Sequence, residues 1–184
     1  DGAMIRALRA RGHDLVVLPM YLPLGKASGG GDAPVFYGAI NVFLKAKFAP
    51  WRRAPLWLRR FFDLPPFLRL ASARAGSTRV RGLEGMTLSV LRGEFGHQAP
   101  ELEELVNWMK EHGKPDLVHL SNALILGLAP RIRREVGARV VCTLQDEDTW
   151  VEAMAEPFGA QAWKLMGEQA EHVDRFVSVC KTFA

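Results

Sequence analysis

Three short apolar runs in this sequence end abruptly in polar residues of types that can do chemistry. Residues 117–120 (LVHL) lead into Ser121 and Asn122, residues 140–144 (VVCTL) into Gln145, Asp146, Glu147 and Asp148, and the run at residues 176–179 (FVSV) is followed by Lys181. Carboxylates and amides accept from hydroxyl groups and orient them, so three acids and an amide in one loop suit a polyhydroxylated ligand. The same residues have a plainer use. Ser121 and Asn122 can cap a helix beginning at Ala123, and Asp146, Glu147 and Asp148 suit the positive end of a helix dipole. His119 lies inside an apolar run, where it is either a satisfied core residue or a ligand-facing group, and with no second histidine at ligand spacing it makes no metal site. Trp150 and Trp163 are core candidates whose ring faces could also stack on a sugar.

For these groups to meet, the runs must be strands of one parallel sheet. Residues 15–18, 117–120, 140–144 and 176–179 are continuously apolar instead of alternating, as expected when both faces of a parallel sheet are covered. Polar breaks and helical patterns follow the second and third runs, so the fold class is α/β with a doubly wound parallel sheet. In such sheets the ligand crevice lies at the carboxyl ends of the strands, which places Ser121 and Asn122, the Gln145–Asp148 group and Lys181 on one rim. No GxGxxG, Walker lysine loop, GxSxG or HExxH occurs, and no nucleotide site is visible.

Helices are expected around this sheet. Met4, Ile5 and Leu8 have helical spacing that stops at Gly12. Leu102, Leu105, Val106 and Met109 form an apolar stripe over residues 100–112, begun by Pro100 and Glu101 and ended by Gly113, and residues 84–93 form a further helix. The stretch between the first two strand runs is far longer than an ordinary connection and must carry structure of its own. Gly25 and Gly29 to Gly31 mark a loop there, residues 39–48 can form a helix, and Pro50, Pro55, Pro65 and Pro66 cut the remainder into short helical pieces. The expected organisation is one domain over residues 1–184 with a helical insertion at residues 40–93.

A chain of 184 residues, 48% hydrophobic and 24% charged, has the makeup of a globular protein able to fill a core. No uncharged apolar run approaches the ~20 residues of a membrane-spanning helix. Cys142 and Cys180 sit in apolar runs away from any CxxC pairing and read as buried thiols of a reducing compartment, so a cytoplasmic protein is expected. The net charge of +4 is unevenly spread: residues 40–81 hold ten Lys or Arg against the single acid Asp63, a balance of +9 that leaves -5 for the rest. Trp51, Trp57, Phe61, Phe62 and Phe67 interleave with the arginines of this segment. It can dock on the domain while its arginines reach water, or lie on anionic lipid at the inner face of the membrane; nucleic-acid stacking is the weakest reading, and no nucleic-acid partner is expected. The lipid reading defines the alternative function, a non-catalytic Rossmann-like module that binds a membrane surface through residues 40–81. The chain opens in a helix and closes just after a strand, which predicts further protein on both sides.

The segments RGHDLVVLP, PDLVHLSNALILGLAP, VVCTLQDEDTW and HVDRFVSVCKTFA, in this order and spacing, resemble the N-terminal half of a family 4-like glycosyltransferase of the GT-B fold. YGAINVFL, residues 37–44, resembles a segment found after the first loop region in a subset of these enzymes. The resemblance implies a Rossmann-like acceptor-binding domain of a retaining transferase that moves a sugar from a nucleotide-sugar donor to an acceptor, with no cofactor and no obligatory metal. The donor diphosphate would be held mainly by a C-terminal domain, and this half alone would be inactive. It implies further that His119, Asn122, Gln145, Asp146 and Glu147 border the interdomain cleft, Gln145 standing where many relatives have a His, and that Tyr37, Gly38 and Asn41 line the acceptor side.

Overall fold

The computed structural model describes residues 2–18, 20, 82–178 and 180. The chain divides into two units, Asp1–Ser77 and Thr78–Ala184. In the first, helix α1 (Gly2–Ala10) forms where the Met4, Ile5 and Leu8 spacing predicts it, and Gly12 ends it with φ +83, a conformation that glycine adopts without steric cost. None of its residues is buried. Residues 13–18 form no strand, and Val16 is 60% exposed. The expected first strand is therefore not formed: apolar composition favours burial, but a strand exists only where a neighbouring chain segment completes its hydrogen-bond ladder. Most of the expected 40–93 insertion, including the basic segment 40–81, lies outside the described residues.

The second unit carries the sheet. After α2 (Glu84–Leu91), a 3-10 turn (Gly93–Phe95) and α3 (Ala99–Glu111), three parallel strands follow in the order β1 (Leu117–Leu120), β2 (Arg139–Leu144) and β3 (Arg175–Ser178). Leu117 pairs with Arg139 and Leu120 with Cys142; Val141 pairs with Arg175 and Leu144 with Ser178. Between β1 and β2 runs a helical segment, kinked at Ile125 (φ -106, ψ 16), tight at Ala123–Leu128 and wide at Ile132–Val136, ended by Gly137 at φ +79. Between β2 and β3 lie α4 (Glu147–Glu152) and α5 (Phe158–Ala170).

The stripe predicted for α3 is the stripe observed, with Leu102, Leu105, Val106 and Met109 all buried. They join a core with Leu91, Leu126, Leu128, Ile132, Val140 and Cys142, each at 1% exposure or less, and each large aliphatic side chain there contributes about 1.5–3 kcal/mol by leaving water. The sheet is not covered equally on its two sides. Leu120, Val140 and Cys142 are buried on one face, while on the other His119, Val141 and Thr143 are half-buried and Leu117 and Val177 are 51% and 43% exposed. Among the described residues the expectation of two covered faces is thus met on one. Topology explains it: strands added in one direction place both connecting helices on the same side when their crossovers have the usual right hand. Cys180, expected to be buried, is exposed because it follows the end of β3, and Trp163 is 46% exposed on the outer side of α5.

Ion pairs lock the helical segment onto its neighbours. Glu135 accepts from Lys110 Nζ on α3 at 2.8 Å and from Arg131 Nε at 2.5 Å. These two hydrogen bonds hold its carboxyl at about 2, below the usual 4.5. A depressed folded-state value contributes stability above the unfolded value, and that contribution is lost as pH falls from about 4.5 towards 2. Because water reaches the pair, Glu135→Gln should destabilise by only about 1 kcal/mol at pH 7. Urea melts of both proteins should converge as pH approaches 2; a constant difference across that range would contradict the assignment.

Candidate functional site

Parallel pairing brings the carboxyl ends of β1 and β2 side by side, so the two segments that follow them lie along one edge of the sheet. Asn122 is extended, with φ -158 and ψ 164, and its Oδ1 accepts from the N–H of Leu124 at 3.1 Å. It is the cap of the helical segment. Across the edge, the Nε2 of Gln145 donates to the carbonyl of Ser121 at 2.8 Å. Only the amide nitrogen can donate to a carbonyl, which fixes the orientation of Gln145 and leaves its Oε1 as an acceptor with no partner among the described residues.

Glu147 does the tying. Its Oε1 accepts from the N–H of Ala123 at 2.7 Å and its Oε2 from the N–H of Gln145 at 2.6 Å. One carboxylate thereby satisfies an otherwise orphaned N–H at the start of the 123–136 segment and a backbone N–H of its own loop, and it is only 6% exposed. The capping reading of the acidic run is realised across two loops: Glu147 caps the neighbouring segment, whereas Asp146, at the start of α4, makes no side-chain capping bond. Asp146 stays exposed, and one oxygen of Asp148 is buried without a hydrogen-bond partner among the described residues. Beneath Glu147, burial and then the nearby carboxylate push the Cys142 thiol up to about 12, so it stays protonated and unreactive at neutral pH.

His119 is one step back from this edge. Its Nε2 lies 2.7 Å from Thr143 Oγ1, and burial lowers its pKa, so the ring is neutral at pH 7 and can either accept the threonine proton or donate its own. The sequence alone does not single out Thr143. The signal was there in principle: once His119 is paired with Val141, the next residue on that face of β2 is Thr143. Trp150 is half-buried, its indole N–H 3.4 Å from Thr87 Oγ1 on α2, which favours a packing role.

The structure therefore gathers Asn122, Gln145, Asp146 and Glu147 on one edge with His119 beside them. Tyr37, Gly38, Asn41 and Lys181 lie outside the described residues. Among the described residues no cluster of His, Cys, Asp or Glu is placed to hold a metal ion, and no helix is long and apolar enough to cross a membrane.

A parallel α/β sheet with helices between its strands is a fold of the Rossmann-like kind. The model of the glycosyl transferase 4-like domain matches residues 2–184, and the chain belongs to that family. It is thus a glycosyltransferase-type domain, whose substrates in general are a sugar donor and an acceptor. No curated protein and no solved structure matches the chain.

Proposed function

We propose that this chain is the acceptor-side domain of a nucleotide-sugar-dependent, retaining glycosyltransferase of GT-B architecture, and that the edge beyond β1 and β2 is its wall of the cleft. Family membership over residues 2–184 supports the transferase reading. The single observation that carries the site is the Glu147 carboxylate, which holds the two strand-end loops in register and leaves Gln145 Oε1 and Asp146 as unengaged acceptors at the same edge. Acceptors fixed before binding orient a hydroxyl group without paying for their own ordering at the moment of reaction. Donor-phosphate stabilisation belongs, in this reading, to a second domain.

The test uses the full-length protein with UDP-, GDP- and ADP-hexoses. At least one should release its nucleoside diphosphate on transfer, and the anomeric coupling of the product should show the donor configuration retained. Gln145→Ala and Asp146→Ala should each lower turnover about tenfold or more, the range expected when positioning groups are removed, with far-UV circular dichroism unchanged. Inversion would remove the retaining assignment, and turnover indifferent to both substitutions would remove the strand-end edge as the site.

A further inference from the structure

At the opposite edge of the sheet, on the segments that enter β2 and β3, a concavity of about 230 Å3 lies between the 93–95 turn, the 123–136 segment and the end of α5. Its floor is rigid, because Gly93 and Gly127 cross at backbone contact: a Cβ on Gly93 would stand 2.0 Å from the Gly127 carbonyl oxygen. Its walls hold two kinds of cation. Arg134 is already committed, forking onto Glu94 at 3.0 and 2.7 Å. Arg92 is exposed and its guanidinium has no hydrogen-bond or ion-pair partner among the described residues; the side chains of Gln169 and His172 have none either. At the rim stands Phe95, 85% exposed, with nearly its whole ring in water.

We propose that this concavity binds a small molecule made of one planar ring and one anionic group. The concavity complements such a molecule in three ways. An uncommitted guanidinium offers a planar fork of donors that matches carboxylate or phosphate oxygens, with an amide and an imidazole nearby to take a further oxygen. The exposed ring of Phe95 offers a stacking face that a planar ligand covers at a gain in apolar burial. The volume falls below the roughly 300–1,000 Å3 typical of sites for larger ligands, which limits the occupant to a single ring with its charged group. Glu94 does not oppose the anion, because Arg134 neutralises it through two hydrogen bonds. Nothing in this site depends on the transferase reading, and none of its lining residues belongs to the two strand-end loops that Glu147 joins.

Phenyl phosphate is the probe, titrated into the full chain by calorimetry with inorganic phosphate and benzyl alcohol as the two half-ligands. Saturable one-to-one binding is expected, about tenfold weaker for either half-ligand and weakened by salt as a partly exposed charge contact must be. Arg92→Ala and Phe95→Ala remove solvent-exposed side chains, so both variants should fold, with unchanged circular dichroism as the check. Each should weaken phenyl phosphate about five- to tenfold, and sodium benzoate should respond to the same two substitutions if carboxylate serves as well as phosphate. Absence of saturation, or affinity that survives both substitutions, would overturn the site. Inorganic phosphate binding as tightly as phenyl phosphate would overturn the ring requirement and with it the proposal.

Discussion

Glu147→Ala should destabilise the protein by about 2–5 kcal/mol, because it strips two N–H groups of their acceptor in a place water barely reaches, and each orphaned buried donor costs about 1–3 kcal/mol. The donors are the backbone N–H groups of Ala123 and Gln145, at 2.7 and 2.6 Å, and Glu147 itself is 6% exposed. The conservative replacements separate charge from geometry. Glu147→Gln keeps the shape but has one oxygen for two donors, and its amide N–H2 would face an N–H, so it should lose about half of the effect. Glu147→Asp keeps the charge but is shorter by one methylene and cannot span both loops. Urea melts give the energy through the shift in midpoint at constant slope. Native-state hydrogen exchange gives the location, since the amides of Ala123 and Gln145 should lose protection before those of β2. A Glu147→Ala protein as stable as the parent, with both amides still protected, would show that the loops are held by something else. In the transferase reading the same loss should lower turnover in the direction that Gln145→Ala does, because Gln145 loses its fixed orientation.

Gly127→Ala sets two opposed effects against each other. In a helical segment, alanine is favoured over glycine by about 1 kcal/mol, so local propensity predicts a more stable protein. The space predicts the reverse. A Cβ at position 127 would meet the carbonyl oxygens of Val90 and Leu91 at 2.2 and 2.6 Å and the backbone N of Gly93 at 2.7 Å. These are backbone atoms at the end of α2, which cannot rotate aside as a flexible side chain can. Overpacking of this kind costs about 1–3 kcal/mol where side chains can adjust, and more where they cannot. The net expectation is a loss of about 3 kcal/mol or more, seen as a fall in the urea midpoint and in Tm. A neutral or stabilised Gly127→Ala protein would mean that α2 and the 123–136 segment are not seated as closely as this geometry requires. Gly93 shares the contact and adds a φ of +55, so Gly93→Ala carries both strain and clash.

Much of the second unit was legible because its signals are local. Residues 117–120 and 140–144 are short, largely apolar runs bounded by polar breaks, and they are β1 and most of β2. The α3 stripe was readable for the same reason: its four apolar positions face one way only if the chain is helical, and Pro100 and Gly113 mark its limits. Residues 15–18 show where this logic stops, since LVVL has the same composition as a strand and forms none. The candidate site was legible as a place but not as a division of labour. Asp146, Glu147 and Asp148 look alike in sequence, and the turn after β2 decides that the middle one is buried and reaches Ala123, twenty-four residues away.

By itself the sequence determined the class of fold, the positions of β1, β2 and β3 along the chain, the family, and the edge on which polar groups would collect. Each of these follows from periodicity and from residue types that neighbours along the chain read together. Only the tertiary structure decided that Glu147 acts as a clamp, that His119 finds Thr143, that Gly127 admits no side chain, and that Arg92 and Phe95 share a concavity. The physical reason is common to all four. Hydrogen bonds and steric contacts act over a few ångströms of space, and residues that far apart in sequence acquire those distances only once the strands are paired and the helices packed against them.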